Sequence, residues 1–126
     1  MKEPAWLTRE VILATHEELL ALFGGLSGIR DDGLLRSALA RPQQLLADDN
    51  ADIFRLATAY SYGIVKNHPF IDGNKRTGFM AAYIFLEING EKFAATEEEV
   101  VIETMALAAG KRTEEQYAVW LNKSCR

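Results

Sequence analysis

The sequence predicts an all-α helical bundle built round a buried central helix, and three observations carry that expectation. Apolar residues recur at three- and four-residue spacing through most of the chain, while runs alternating at the two-residue period of a strand are scarce. Residues that start helices stand ahead of the periodic stretches, at Thr8, Asp31-Asp32, Thr96 and Thr113. The run from Phe79 to Leu86 is apolar on every side of a helix, which suits the middle of a bundle rather than its surface.

The first helix is expected from about Thr8, its N-cap, to Phe23, with Val11, Ile12, Thr15, Leu19 and Leu22 facing inward and Gly24-Gly25 ending it. His16 lies on this helix with no partner at metal-ligand spacing beside it, and reads as a partly exposed surface histidine. A second helix begins near Asp31-Asp32, carries Leu34, Leu35, Ala38 and Leu39, and is interrupted at Arg41-Pro42. Residues 42–50 then read as irregular, either an exposed loop or hairpin, or a small flap that docks substrate. A third helix sets Ile53, Leu56, Ala57, Tyr60 and Ile64 on one stripe and stops before His68-Pro69, because a residue before proline is pushed out of α geometry. Asn74 caps the fourth, central helix, which runs from about Lys75 to Ile88 and is followed by an Asn89-Gly90 turn. Two capping boxes, Thr96 with Glu99 and Thr113 with Gln116, open the last two helices. Glu97-Glu98-Glu99 suits the positive end of a helix dipole better than a metal site, and Tyr117, Trp120 and Leu121 pack onto the bundle.

A length of 126 residues suits one domain, residues 1–126. Apolar residues at 48% and charged residues at 25% are ordinary globular usage, so disordered and fibrous classes are set aside. A net charge of −4 argues against a whole-surface grip on nucleic acid or an anionic membrane. The single cysteine, Cys125, allows no intrachain disulfide, no run approaches the roughly 18 apolar residues of a membrane span, and Met1 to Trp6 lacks the apolar stretch of a signal peptide. The expected setting is the cytoplasm, with no membrane and no direct nucleic-acid partner.

The chemistry is concentrated in Asn67-His-Pro-Phe-Ile-Asp-Gly-Asn-Lys-Arg-Thr-Gly78. Gly73 permits a sharp turn, after which the N–H groups of Asn74, Lys75 and Arg76 open outward from the start of the central helix and form an anion site. Arg76 adds a planar fork of donors that matches phosphate oxygens, and Lys75 a point charge. Asp72 is a hard oxygen ligand of the kind Mg²⁺ takes together with water and substrate phosphates. His68 supplies an imidazole, the side chain most often used to take a proton from an attacking hydroxyl. Singly, each of these residues has a structural explanation; together in nine residues ahead of a buried helix, they describe a phosphoryl-transfer site. Phe70 is expected to turn inward and anchor the loop.

At these residues the chain resembles the Fic/Doc family, whose signature His-Pro-Phe-x-Asp/Glu-Gly-Asn-Gly/Lys-Arg reads here His68-Pro-Phe-Ile-Asp-Gly-Asn-Lys-Arg76. The stretch Gly28-Ile-Arg-Asp-Asp-Gly-Leu-Leu-Arg-Ser-Ala-Leu-Ala-Arg-Pro42 further resembles the segment before the flap in the Doc, or death-on-curing, branch. The resemblance implies a compact Fic/Doc-type helical bundle with a small flap, in which the motif joins two central helices. It implies that His68 is the general base, that Asp72 binds Mg²⁺, and that Asn74 and Arg76, with the backbone from Gly73 to Lys75, hold the phosphates of ATP. Lys75 stands where members that transfer AMP usually carry glycine. In the Doc branch this goes with a reversed nucleotide that presents its γ-phosphate, a kinase activity, and elongation factor Tu as the type of target. No Ser/Thr-x-x-x-Glu-Gly/Asn inhibitory helix occurs in the sequence, so the resemblance implies an antitoxin acting in trans.

The expectation is therefore a Doc-like toxin of a toxin–antitoxin pair that phosphorylates a hydroxyl of a translation protein. Two alternatives stand beside it: AMP transfer to a protein hydroxyl through the same residues, and a non-catalytic module that binds nucleotide or a partner. Which phosphate moves separates the first; binding without label transfer identifies the second.

Overall fold

A computed structural model describes residues 3–126 of the chain as six helices: α1 (Arg9–Phe23), α2 (Asp32–Asp49), α3 (Ile53–Asn67), α4 (Asn74–Ile88), α5 (Glu97–Ala108) and α6 (Glu114–Lys123). Met1 and Lys2, at the head of the stretch that lacks a signal-peptide pattern, lie outside the described residues. Among the described residues there are no strands, only two isolated antiparallel bridges, and no helix is long and apolar enough to cross a membrane.

Local chemistry sets most of the boundaries. Thr8, Asp31, Thr96 and Thr113 each accept a backbone N–H from the first turn of the helix they precede, at α1, α2, α5 and α6. Of the two capping boxes, the one at α6 is complete, with the Gln116 side chain accepting from the Thr113 N–H in return.

The α3 helix is the spine. Leu56, Ala57, Ala59, Tyr60, Ile64 and Val65 are all buried, and α2, α4 and α6 pack round them. The expected stripe of α3 is present, but the helix is buried on far more than one face. Tyr60 accepts the Leu7 N–H on its hydroxyl at 3.1 Å, and burial pushes its phenol up to about 12. Tyr117 of α6 reaches Ser61 at 3.3 Å and Thr104 at 3.0 Å, which satisfies a phenol that would otherwise be costly to bury.

Where α3 crosses α4, Gly78 lets the backbones close up: a Cβ there would stand 2.7 Å from Val65 Cγ1 and 3.1 Å from the Ser61 carbonyl oxygen. Gly78→Ala is therefore expected to lower the unfolding free energy by about 1–3 kcal/mol through overpacking. Denaturant unfolding checks this, and a midpoint equal to that of the parent would show that the two helices separate without cost.

Two sequence expectations need correction. Helix α2 does not stop at Arg41-Pro42 but continues to Asp49, with Pro42 inside it and buried. Proline in a helix costs about 3 kcal/mol, yet Leu35, Ala38, Leu39, Pro42, Leu45 and Leu46 continue one stripe at three- and four-residue spacing, with Leu35, Ala38 and Pro42 buried and Leu39, Leu45 and Leu46 half-buried against the core. Burying that stripe outweighs the lost donor, and residues 43–50 form no flap. The extended segment that lies against the motif is instead 28–31, whose Ile29 bridges antiparallel to Phe70. On α1, Val11 and Leu22 are 40% and 68% exposed rather than inward, because the buried positions are Ile12 and His16.

Candidate active site at the junction of α3 and α4

The motif occupies the end of α3, the turn 68–73 and the start of α4. His68 is the C-cap of α3, in left-handed geometry at φ 50°, a conformation that histidine tolerates better than most side chains. The residue is exposed. Arg30 fixes its backbone from the other side: Nε donates to the His68 carbonyl at 2.6 Å and Nη2 to the Asn67 carbonyl at 2.8 Å. These carbonyls belong to the unsatisfied end of α3, where a cation is also favoured by the helix dipole. The backbone of 28–31 adds three bonds, from Arg30 N–H and Asp31 N–H to the Pro69 carbonyl and from Ile71 N–H to the Gly28 carbonyl.

Asn74 departs from its expected place. It is the first residue of α4 rather than its cap; Gly73 is the cap, at φ 78°, and provides no side-chain bond. The Asn74 side chain is buried and reaches back into the turn, Oδ1 accepting the Phe70 N–H at 3.0 Å and Nδ2 donating to the Phe70 carbonyl at 2.9 Å. With both ends of the amide fixed by Phe70, the group that faces His68 Nδ1 at 3.2 Å is the NH₂. Nδ1 must accept, so the neutral ring carries its hydrogen on Nε2 and Nδ1 is its basic nitrogen.

Asp72 is exposed, its Oδ1 accepting the Gly73 N–H at 2.9 Å and its Oδ2 the Leu26 N–H at 3.1 Å. Two accepted bonds orient a carboxylate while leaving it lone pairs for a cation. Among the described residues no group of three or more His, Cys, Asp or Glu side chains converges. The donor set therefore fits a hard cation that draws most of its ligands from water and phosphate, as Mg²⁺ does, and does not fit an all-protein metal cage.

On α4 the first helical bond runs from the Thr77 N–H to the Gly73 carbonyl at 3.0 Å. The N–H groups of Asn74, Lys75 and Arg76 precede it and form the helix-start donors an anion can take. Lys75 and Arg76 are exposed, and neither makes an ion pair among the described residues. The Arg76 guanidinium lies 4.3 Å over the ring of Phe23, a cation–π contact that holds the fork at the mouth of the site.

His68, Asp72, Gly73, Asn74, Lys75 and Arg76 all line one open groove of about 950 Å³. Its far side is apolar, with Leu19 and Phe23 from α1, Phe79 and Tyr83 from α4, and Val100 and Met105 from α5. Phe70 turns inward as expected and is 1% exposed. Sequence reasoning missed Arg30, Leu26 and Phe23, whose roles come from contacts across the fold, and misjudged His16. That histidine is 2% exposed, stacks on Phe70 and lies 2.8 Å from the Asp72 carbonyl oxygen. Its one sequence signal was its place four residues after buried Ile12.

An all-α fold that sets a histidine at the end of one helix against the free N–H groups at the start of the next is the arrangement expected of the Fic/Doc class. The chain belongs to the Fic/DOC family, whose model matches residues 6–86. Among its relatives, it is 40% identical over 92 residues to the protein named Toxin Doc of Mycolicibacterium smegmatis, which covers 71% of this chain and 68% of that protein. It is 32% identical over 85 residues to Protein kinase doc of Escherichia phage P1, covering 67% of this chain and 68% of that one.

Proposed function

We propose that this chain is a Doc-type toxin that transfers the γ-phosphate of ATP to a hydroxyl of a translation protein, with elongation factor Tu as the target, and is neutralised by a separate antitoxin. One observation carries the chemistry: a basic ring nitrogen, an oriented carboxylate and a helix start with two cations share a single groove. The names of the two relatives support the toxin and kinase assignments.

In this reading His68 takes the hydroxyl proton at Nδ1, exchanging its contact with the Asn74 amide for one with the substrate; at 3.2 Å that contact is at the long end of the hydrogen-bond range. The α4 N–H groups and Arg76 hold phosphate oxygens and neutralise charge that grows in the transition state. Asp72 would hold Mg²⁺, which when bound offsets the charge of the phosphates. Lys75, the second residue of α4, crowds a second phosphate subsite and favours the nucleotide orientation that presents the γ-phosphate. Lys75→Gly is expected to lower γ-transfer by roughly 10²-fold, the usual cost of a misplaced reactant. Unchanged nucleotide binding and unchanged transfer in that variant would refute the crowding argument.

The apolar side of the groove supports an antitoxin in trans. Phe23, Val101 and Met105 are 57%, 57% and 52% exposed beside the motif, and an exposed apolar groove next to charged groups suits an amphipathic segment of a partner. The test is expression of the chain alone and with its genomic neighbour. Arrest of protein synthesis by the chain alone, relieved by a neighbour that co-purifies with it, is the expected result. Undisturbed synthesis, or no neighbouring protein that binds or neutralises it, would refute the toxin assignment.

A further inference from the structure

We infer that His16 is a positioning residue for the motif, locking the Asp72–Gly73 peptide through a single hydrogen bond; the inference rests on the proposed cation and phosphate site. A carbonyl oxygen can only accept, so at 2.8 Å from the Asp72 carbonyl the Nε2 of His16 is the donor and carries the ring hydrogen. The ring lies nearly parallel to that of Phe70, with centroids 3.8 Å apart and an interplanar angle of 10°. One side chain of α1 thus holds the motif at two points, the Phe70 ring and the Asp72 carbonyl, on either side of Ile71.

That peptide leads directly into the start of α4. Gly73 is in left-handed geometry at φ 78°, and glycine accepts many other conformations at little cost. Without a donor on the Asp72 carbonyl, the peptide plane between Asp72 and Gly73 is free to rotate. Rotation would turn the Gly73 N–H away from Asp72 Oδ1, now 2.9 Å distant, and disturb the carboxylate that Leu26 N–H holds from the other side. It would also tilt the start of α4 and its free N–H groups. A core histidine that is merely satisfied would affect stability alone; a lock on this peptide also sets the direction of the cation ligand and of the anion donors.

Two variants separate those cases. His16→Phe keeps an aromatic ring against Phe70 and removes the donor; His16→Gln keeps an N–H where Nε2 stands and removes the stack. The readouts are the amide resonances of Gly73 and Leu26 by ¹H–¹⁵N NMR of the protein alone, and the affinity for MgATP by calorimetry. His16→Phe is expected to move both resonances and weaken MgATP by about tenfold, the equivalent of one lost hydrogen bond. His16→Gln is expected to keep parental resonances and affinity. Unmoved resonances in His16→Phe, or resonances lost equally in a folded His16→Gln, would overturn the inference. Should His16→Phe fail to fold, the Gln variant decides alone, since the proposal requires it to match the parent. If the parent chain itself binds no MgATP, the functional proposal fails, and the two resonances still decide the role of His16.

Discussion

Replacing His68 with alanine is expected to lower transfer to a protein hydroxyl by roughly 10²–10⁴-fold, the usual contribution of a positioned base. The residue is exposed, and among the described residues its ring makes one hydrogen bond, the 3.2 Å approach of the Asn74 amide, which water can replace. Nucleotide binding and the fold should therefore survive. The substitution also strains the backbone, because His68 sits at φ 50° and alanine is disfavoured there. His68→Asn, which suits left-handed geometry, provides the matching control: it should restore any lost stability and none of the activity. Transfer within tenfold of the parent in both variants, measured with labelled ATP, would remove His68 from the role of base.

Asn74→Ala is expected to affect both folding and chemistry. The substitution strands the Phe70 N–H and the Phe70 carbonyl, both inside a turn whose ring is 1% exposed. An unpaired buried polar group costs about 1–3 kcal/mol, so the two together should lower the unfolding free energy by roughly 2–6 kcal/mol. The variant also loses the amide that selects the His68 tautomer. Activity measured at a temperature where the variant remains folded should still fall by at least about tenfold. Parental stability in denaturant would mean that Phe70 finds other partners and that the turn is not braced by this side chain.

The parts of this fold that could be read from sequence are those decided within a few residues. Thr8, Asp31, Thr96 and Thr113 cap helices through bonds to their own first turns, and the stripe from Ile53 to Ile64 follows from spacing alone. The motif was legible for the same reason, since histidine, carboxylate, glycine turn and arginine are contiguous. Asn74 was misread because an asparagine at a helix start is ordinarily its cap; the left-handed Gly73 moves it one residue into α4, from where its amide reaches back to Phe70. Pro42 was misread because local cost was weighed without the stripe that α2 buries. His16 and Arg30 gave little signal, since their partners lie 56 and 38 residues away. These long-range contacts hold the backbone of the motif, and only the folded chain brings them together.

The most direct test of the proposed activity is to incubate the protein and its His68→Ala variant with elongation factor Tu, Mg²⁺, and ATP labelled at either the γ- or the α-phosphate. Label passing to the factor from the γ position alone, and only when His68 is present, is the predicted result. Label from the α position would make the protein an AMP transferase, and no label from either position would contradict the assignment of this target.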